Sequence, residues 1–243
     1  MRASAFQTAV RLVYPPRCIS CGDLVESDFG LCGPCWRDTP FISGLVCDAC
    51  GTQLPGQAGP FLEYCDDCLA TARPWSRGRA ALRYHANGRR LVLALKHGDR
   101  QDLARPASAW MARAAQPILR PDTLIAPVPL HWLRMLSRRF NQAALLAQGV
   151  ARETALDCCP DLLSRPRRTQ SLGGLTRDAR HATLDGAIRI NPRRRDRAQG
   201  RDILIVDDVM TSGATLSAAT QACYAAGARD VCILTLARVG KDA

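Results

Sequence analysis

Eight of the twelve cysteines fall in four Cys-x-x-Cys pairs near the N-terminus: Cys18/Cys21, Cys32/Cys35, Cys47/Cys50 and Cys65/Cys68. Between them lie Gly and Pro with little apolar periodicity, so this stretch has no pattern from which to build a core of its own. Metal can supply what packing does not. Each pair presents two thiolates to one ion, and two pairs complete the tetrahedral four-thiolate site that zinc favours. Ten residues separate Cys21 from Cys32 and fourteen separate Cys50 from Cys65, spacings that suit zinc ribbons. Gly22 and Gly51 each follow the second cysteine of a pair, where a tight turn needs a permissive backbone. Two zinc ions, paired in sequence order, are expected. Spacing alone leaves a crossed pairing open, and redox-active dithiols or an iron–sulfur cluster are the competing readings. A closed four-thiolate site has no open coordination position, so its expected role is to support folding.

The composition changes near Trp75–Gly78, from knuckles to alternating apolar runs. This divides the chain into residues 1–77, a double zinc ribbon with a short N-terminal helix, and residues 78–243, an α/β domain. The N-terminal stretch is interrupted by Gln7, Thr8 and Arg11 and lacks the apolar centre of a secretion signal. No run approaches the roughly 18 apolar residues of a membrane span. A cytoplasmic location without membrane insertion is expected, and there cysteines argue for metal before disulfides. The formal charge is +11, and only Lys96 and Lys241 among the cations are lysine. Arginine forks suit phosphate, so polyanion contact is one reading of this charge and a solvated basic surface the other.

In the second part, Ala80–Tyr84 and Thr123–Val128 read as strands, and Arg89–Lys96 and Gln142–Thr154 as helices. Asp161–Ser164 reads as a short strand, Arg165–Arg180 as a mobile arginine-rich loop and Arg193–Arg197 as an exposed turn. The end is clearest. Ile203–Val206 is apolar and β-branched, the mark of a strand covered on both faces. Ala214–Ala226 is helical and Val231–Leu236 is apolar again. Strand, helix, strand in this order is a βαβ unit and implies a parallel sheet.

The segment VDDVMTSGATL joins that strand to that helix. Asp207 and Asp208 lie at the carboxyl end of the strand, where ligands bind in open α/β sheets. Carboxylates there can accept hydrogen bonds from ribose hydroxyls or hold Mg²⁺. The turn Thr211, Ser212, Gly213, Ala214 and Thr215 can aim amides and hydroxyls at one phosphate, and the helix N-terminus adds a favourable dipole. The competing reading is an ordinary strand–turn–helix with an acidic turn.

This stretch resembles the phosphoribosyl pyrophosphate (PRPP) motif of type I phosphoribosyltransferases. Purine-salvage members place an acidic residue just before the threonine–glycine pair; here that position is Thr211, which makes 6-oxopurine transfer a poor fit. With the cysteines, the block at residues 126–147 (APVPLHWLRMLSRRFNQAALLA), the segment at 165–180 (RPRRTQSLGGLTRDAR) and KHGD at 96–99, the chain resembles the ComF family (ComFC/GntX type) over nearly its whole length. Those are phosphoribosyltransferase-like proteins associated with competence and use of external DNA.

The resemblance implies a type I phosphoribosyltransferase fold with a small zinc-ribbon domain. It implies PRPP as ligand, with Asp207, Asp208 and 211–215 binding it. Asp207, Asp208 and Arg177 would be catalytic, and Arg180 would close with Arg177 over the pyrophosphate. Pro129 and Leu130, in the loop at 128–131, with Arg138, Arg139 and Lys96, would lie on the pyrophosphate side. For Arg138 and Arg139 the alternative is a surface cluster, for Asn141 a helix cap, and for Lys96 charge pairing at a helix C-terminus. Two functions follow as expectations: Mg²⁺-dependent pentosyl transfer to an acceptor the motif does not name, or a PRPP-dependent accessory factor that contacts single-stranded DNA and DNA-uptake proteins. Oligomeric state is not legible.

Overall fold

The computed structural model describes residues 14–97, 100–130, 140–166 and 186–240. In the cysteine-rich part, each ribbon ends on a short helix that is capped by its third cysteine and carries its fourth: α1 (Gly33–Asp38) after Cys32 and α2 (Asp66–Ala70) after Cys65. The elements that follow are β1 (Arg77–Arg83), α3 (Ala86–His97), α4 (Ala104–Ala115), β2 (Leu124–Pro127), α5 (Gln142–Thr154) and β3 (Leu163–Ser164). Then come β4 (Arg189–Ile190), β5 (Asp202–Met210), α6 (Ala214–Ala225) and β6 (Asp230–Arg238).

The main sheet has the order β1-β6-β5-β2 and every neighbouring pair is parallel. β3 and β4 form a separate antiparallel pair. The expected α/β class and parallel βαβ unit are therefore what the chain adopts. Alternation along β5 explains its double burial. Ile203 and Ile205 face a core shared with α6, β3, β4 and Trp75. Leu204 and Val206 face one shared with α3, α4 and α5. Helices thus cover both faces, as a parallel sheet requires.

Several elements differ from their sequence reading. β5 runs to Met210, so Asp207 and Asp208 lie within the strand, because β6 continues to pair with it up to Met210↔Arg238. β2 pairs with β5 only from Leu124↔Ile203 to Pro127↔Val206. Past Val206, β5 therefore has a paired strand on one side only. The polar turn at 193–197 is a 3-10 helix over Pro192–Arg197, started by the Asn191 side chain accepting from Arg193 N. Helix α4 has no counterpart in the sequence reading. Its Ala- and Arg-rich composition blurs the apolar stripe, although Leu103, Ala107 and Met111 fall on one buried face. Pro106 sits in its first turn, where a missing N–H costs nothing.

Candidate functional site: the loop after the fifth strand and the two cysteine clusters

The site forms where β5 outruns β2. β2 is followed by α5 on one face of the sheet and β5 by α6 on the other. That divergence is a topological switch point, where a crevice opens at the strands' carboxyl ends. Asp207 is half-buried and Asp208 is buried. Asp208 Oδ2 meets Lys96 Nζ at 3.2 Å, and Asp207 Oδ1 accepts from Asp208 N at 2.8 Å. Desolvation, then the adjacent Asp208 charge, pushes the Asp207 carboxyl up to about 8.

After Met210 the chain turns through Thr211, exposed, and Ser212, partly exposed, to buried Gly213. Gly213 is the N-cap of α6 with φ 85°. A Cβ there would come within 2.9 Å of Met210 Cε and 3.0 Å of Trp75 Cη2, so both backbone sign and space call for glycine. Ala214 and Thr215 open the helix, and Ala214 N donates to Ser212 Oγ.

In the loop after β2, Val128 and Pro129 are buried and Leu130 partly so. Asn141 caps α5 by accepting from Ala143 N, and its amide also donates to Val128 O at 3.1 Å. Buried Gln142 donates to Lys96 O at 3.3 Å. The Asn-Gln pair thus ties the loop at 128–130 and the end of α3 to one helix start. Lys96, in the last turn of α3, pairs with Asp208 of β5. Arg138, Arg139, Arg177 and Arg180 lie outside the described residues.

The cysteines gather in two groups, Cys18, Cys21, Cys32 and Cys35, and Cys47, Cys50, Cys65 and Cys68, the sulfurs of each within 4.8 Å of one another. Tetrahedral zinc with bonds of 2.3 Å sets its sulfurs about 3.8 Å apart. Cys21 and Cys32 Sγ lie at 3.5 Å and Cys50 and Cys65 at 3.7 Å. The two clusters fit structural zinc. The second is built into the sheet domain. Cys47 and Cys50 are fully buried within the core shared with α6. Gly51 (φ 69°) packs so tightly that a Cβ would lie 2.5 Å from Ala80 N in β1. Asp48 meets Arg77 and Arg79 of β1 at 2.8 Å each.

Three residues missed by the sequence reading back the loop between β5 and α6: Arg73, Trp75 and Arg238. Arg73 Nη1 donates to Ser212 O at 2.9 Å and its Nε to Cys68 Sγ at 3.5 Å. Arg238 is buried, and its Nη1 donates to Thr211 O at 2.9 Å and Met210 O at 3.3 Å. The available signal was Arg238 itself, a lone cation closing the apolar run of β6.

A family model, the double zinc ribbon domain, matches residues 9–69. The DNA utilization protein YhgH of Shigella flexneri is 30% identical over 234 residues, which is 93% of this chain and 99% of that protein. The same protein of Escherichia coli (strain K12) matches to the same extent. Competence protein F of Haemophilus influenzae is 27% identical over 91% of this chain and 96% of its own length. Similar solved structures include the glutamine PRPP amidotransferase of B. subtilis complexed with ADP and GMP (TM-score 0.39, 15% identity). That match takes in 58% of this chain and 30% of the amidotransferase chain. A hypoxanthine phosphoribosyltransferase of Staphylococcus aureus matches with TM-score 0.32 and 16% identity, over 58% of this chain and 64% of its own. Among the described residues no helix is long and apolar enough to cross a membrane.

Proposed function

The chain belongs to the ComF family of competence and DNA-utilisation proteins, and on that premise we propose that it binds PRPP at the carboxyl end of β5 and transfers the phosphoribosyl group to an acceptor. The observation that carries this reading is that β5 outruns β2, so two consecutive carboxylates lie past the last β2–β5 pair and shortly before a glycine-capped helix start. The turn 211–215 takes the 5-phosphate through its amides and hydroxyls, with the α6 dipole behind it. Asp207 and Asp208 accept hydrogen bonds from the ribose hydroxyls and favour positive charge developing on the ring. The loop at 128–130 borders the pyrophosphate, with Lys96 on the same side. Arg138, Arg139 and Arg177 are assigned to the pyrophosphate by the family motif alone. Thr211 offers no acid to a purine, so a 6-oxopurine is a poor acceptor.

The carboxylates suit magnesium. Burial first and the Asp208 charge second hold Asp207 against ionisation, and a dication would offset both. When bound, Mg²⁺ would supply charge neutralisation for the departing pyrophosphate. The test is PRPP titration with and without Mg²⁺, followed by pyrophosphate release in the presence of candidate acceptors. Turnover supports transfer; binding without turnover leaves a PRPP-dependent accessory role.

One observation favours that second reading, in which the protein contacts single-stranded DNA. Trp36, Phe41 and Trp110 run along a cavity of about 770 Å³, with ring centroids 4.6 and 5.2 Å apart. Arg113 also lines it, as do Arg77 and Arg79, which are both paired with Asp48 on the same wall. Aromatic faces interleaved with cations suit stacked bases and phosphates. Oligonucleotide affinity should then fall steeply with salt; affinity independent of salt would remove this reading.

A further inference from the structure

Three consecutive carbonyl oxygens of the phosphate loop are held from one side by two guanidinium groups. Arg238 Nη1 holds those of Met210 and Thr211, and Arg73 Nη1 holds that of Ser212. A trans peptide unit points its C=O and its N–H in opposite directions. Pinning the carbonyls of 210–212 on the ribbon side therefore turns the amides of Thr211, Ser212 and Gly213 the other way. Successive amides presented together make an anion-binding concavity. The two arginines differ in origin. Arg238 closes β6, whereas Arg73 follows the last ligand pair of the second cysteine cluster by five residues and donates to Cys68 Sγ with the same guanidinium.

Arg73 is itself held in place. Its guanidinium lies 5.7 Å from the centre of the Trp75 ring, and Trp75 Nε1 donates to Ala49 O within the Cys47–Cys50 knuckle. The Trp75 ring also sits against Gly213. Knuckle, tryptophan, arginine and loop thus form one packed unit. A thiolate that ligates zinc keeps lone pairs for an N–H donor, so the Arg73–Cys68 contact is compatible with a filled cluster.

We infer that Arg73 is a positioning residue that couples the second zinc cluster to the phosphate loop, so that PRPP affinity depends on the metal held by Cys47, Cys50, Cys65 and Cys68. This rests on the reading of 211–215 as the phosphate site. Arg73 does not touch the ligand; it sets the direction of the Ser212–Gly213 peptide. Arg238 acts independently, so loss of Arg73 weakens binding without abolishing it.

The test is calorimetric titration of PRPP into the zinc-loaded full chain, for wild type, Arg73→Met and Arg73→Lys, with zinc content and melting temperature measured on each. Arg73→Met should bind PRPP about tenfold more weakly, the scale of one lost charged hydrogen bond. Arg73→Lys should recover part of that loss, because an ammonium can still reach the Ser212 carbonyl. The second readout is spectroscopic. With cobalt in place of zinc, PRPP should shift the thiolate-to-metal absorption of the wild type and leave that of Arg73→Met unchanged. Even if Arg73→Met fails to hold metal, the wild-type shift and Arg73→Lys decide the matter. Equal affinities across the three proteins, with no wild-type shift, would overturn the coupling while leaving the PRPP site standing. No PRPP binding by wild type would instead remove the phosphate-site reading and the coupling with it.

Discussion

Lys96 Nζ lies 3.2 Å from Asp208 Oδ2, so the last turn of α3 reaches across the crevice to the strand that carries the acidic pair. The ammonium is mostly buried and neutralises a buried carboxylate, which makes it more than an exposed surface pair. Lys96→Met should destabilise the ligand-free protein by about 1–3 kcal/mol, the cost of leaving a buried polar group without its partner. Chemical denaturation at pH 7 measures this. The same variant should bind PRPP more weakly, since it also removes a cation from the proposed pyrophosphate side.

Asp207 gives the site a pH signature. Its folded-state pKa is raised from 3.8 to about 8, by burial first and the Asp208 charge second. The folded protein then binds more protons than the unfolded chain between those values, so this group's contribution to stability falls as pH rises through that window. Asp207→Asn should raise the melting temperature of the ligand-free protein at pH 8 and change it little at pH 4. If Mg²⁺ and PRPP bind to the ionised form, binding near pH 7 should release a proton in wild type and none in Asp207→Asn. Calorimetry in buffers of differing ionisation enthalpy reads that proton directly.

The two metal clusters should respond unequally to loss of a ligand. Cys21 is exposed, whereas Cys50 is fully buried in the core shared with α6. Zinc binding and folding are one free energy in such sites. Purified protein should contain two zinc ions per chain. Cys50→Ser should lower the melting temperature at least about twice as much as Cys21→Ser, because it opens the sheet domain as well as a knuckle. Zinc analysis with thermal melts checks both statements.

Gly213→Ala tests the loop with the smallest change available. The substitution forces a side chain into the left-handed region, about 1–2 kcal/mol, and drives a Cβ to within 3.0 Å of Trp75 and Met210. Stability should fall by at least that strain, and PRPP affinity should fall further than stability does, because the loop must shift to accommodate the methyl. Comparing denaturation midpoints with binding constants separates the two.

The parts legible in the sequence were those written in local order. Ile203–Val206 and Ala214–Ala226 state a strand and a helix by periodicity alone, and the acidic pair and Gly213 stand between them. The cysteine pairs fall into two groups in sequence order because each ribbon closes on itself, through Ile19 N to Gly30 O in the first and Asp48 N to Glu63 O in the second. What could not be read was support from a distance. Arg73 and Ser212 are 139 residues apart, and Arg238 and Thr211 are 27 apart. No spacing rule connects them, since the contacts arise only when β6 pairs with β5 and the second ribbon packs on the sheet. Asn141 illustrates the middle case. Its cap is a local pattern, but its bond to Val128 O depends on how β2 meets α5.

One titration decides whether Asp207, Asp208 and the turn at 211–215 form a PRPP site. PRPP is titrated into zinc-loaded wild type and Asp208→Ala, with and without Mg²⁺. Wild type should bind saturably and more tightly with Mg²⁺, whereas Asp208→Ala should bind at least about tenfold more weakly and without response to Mg²⁺. Equal affinity of the two proteins for PRPP, or no binding by folded wild type, would contradict that assignment.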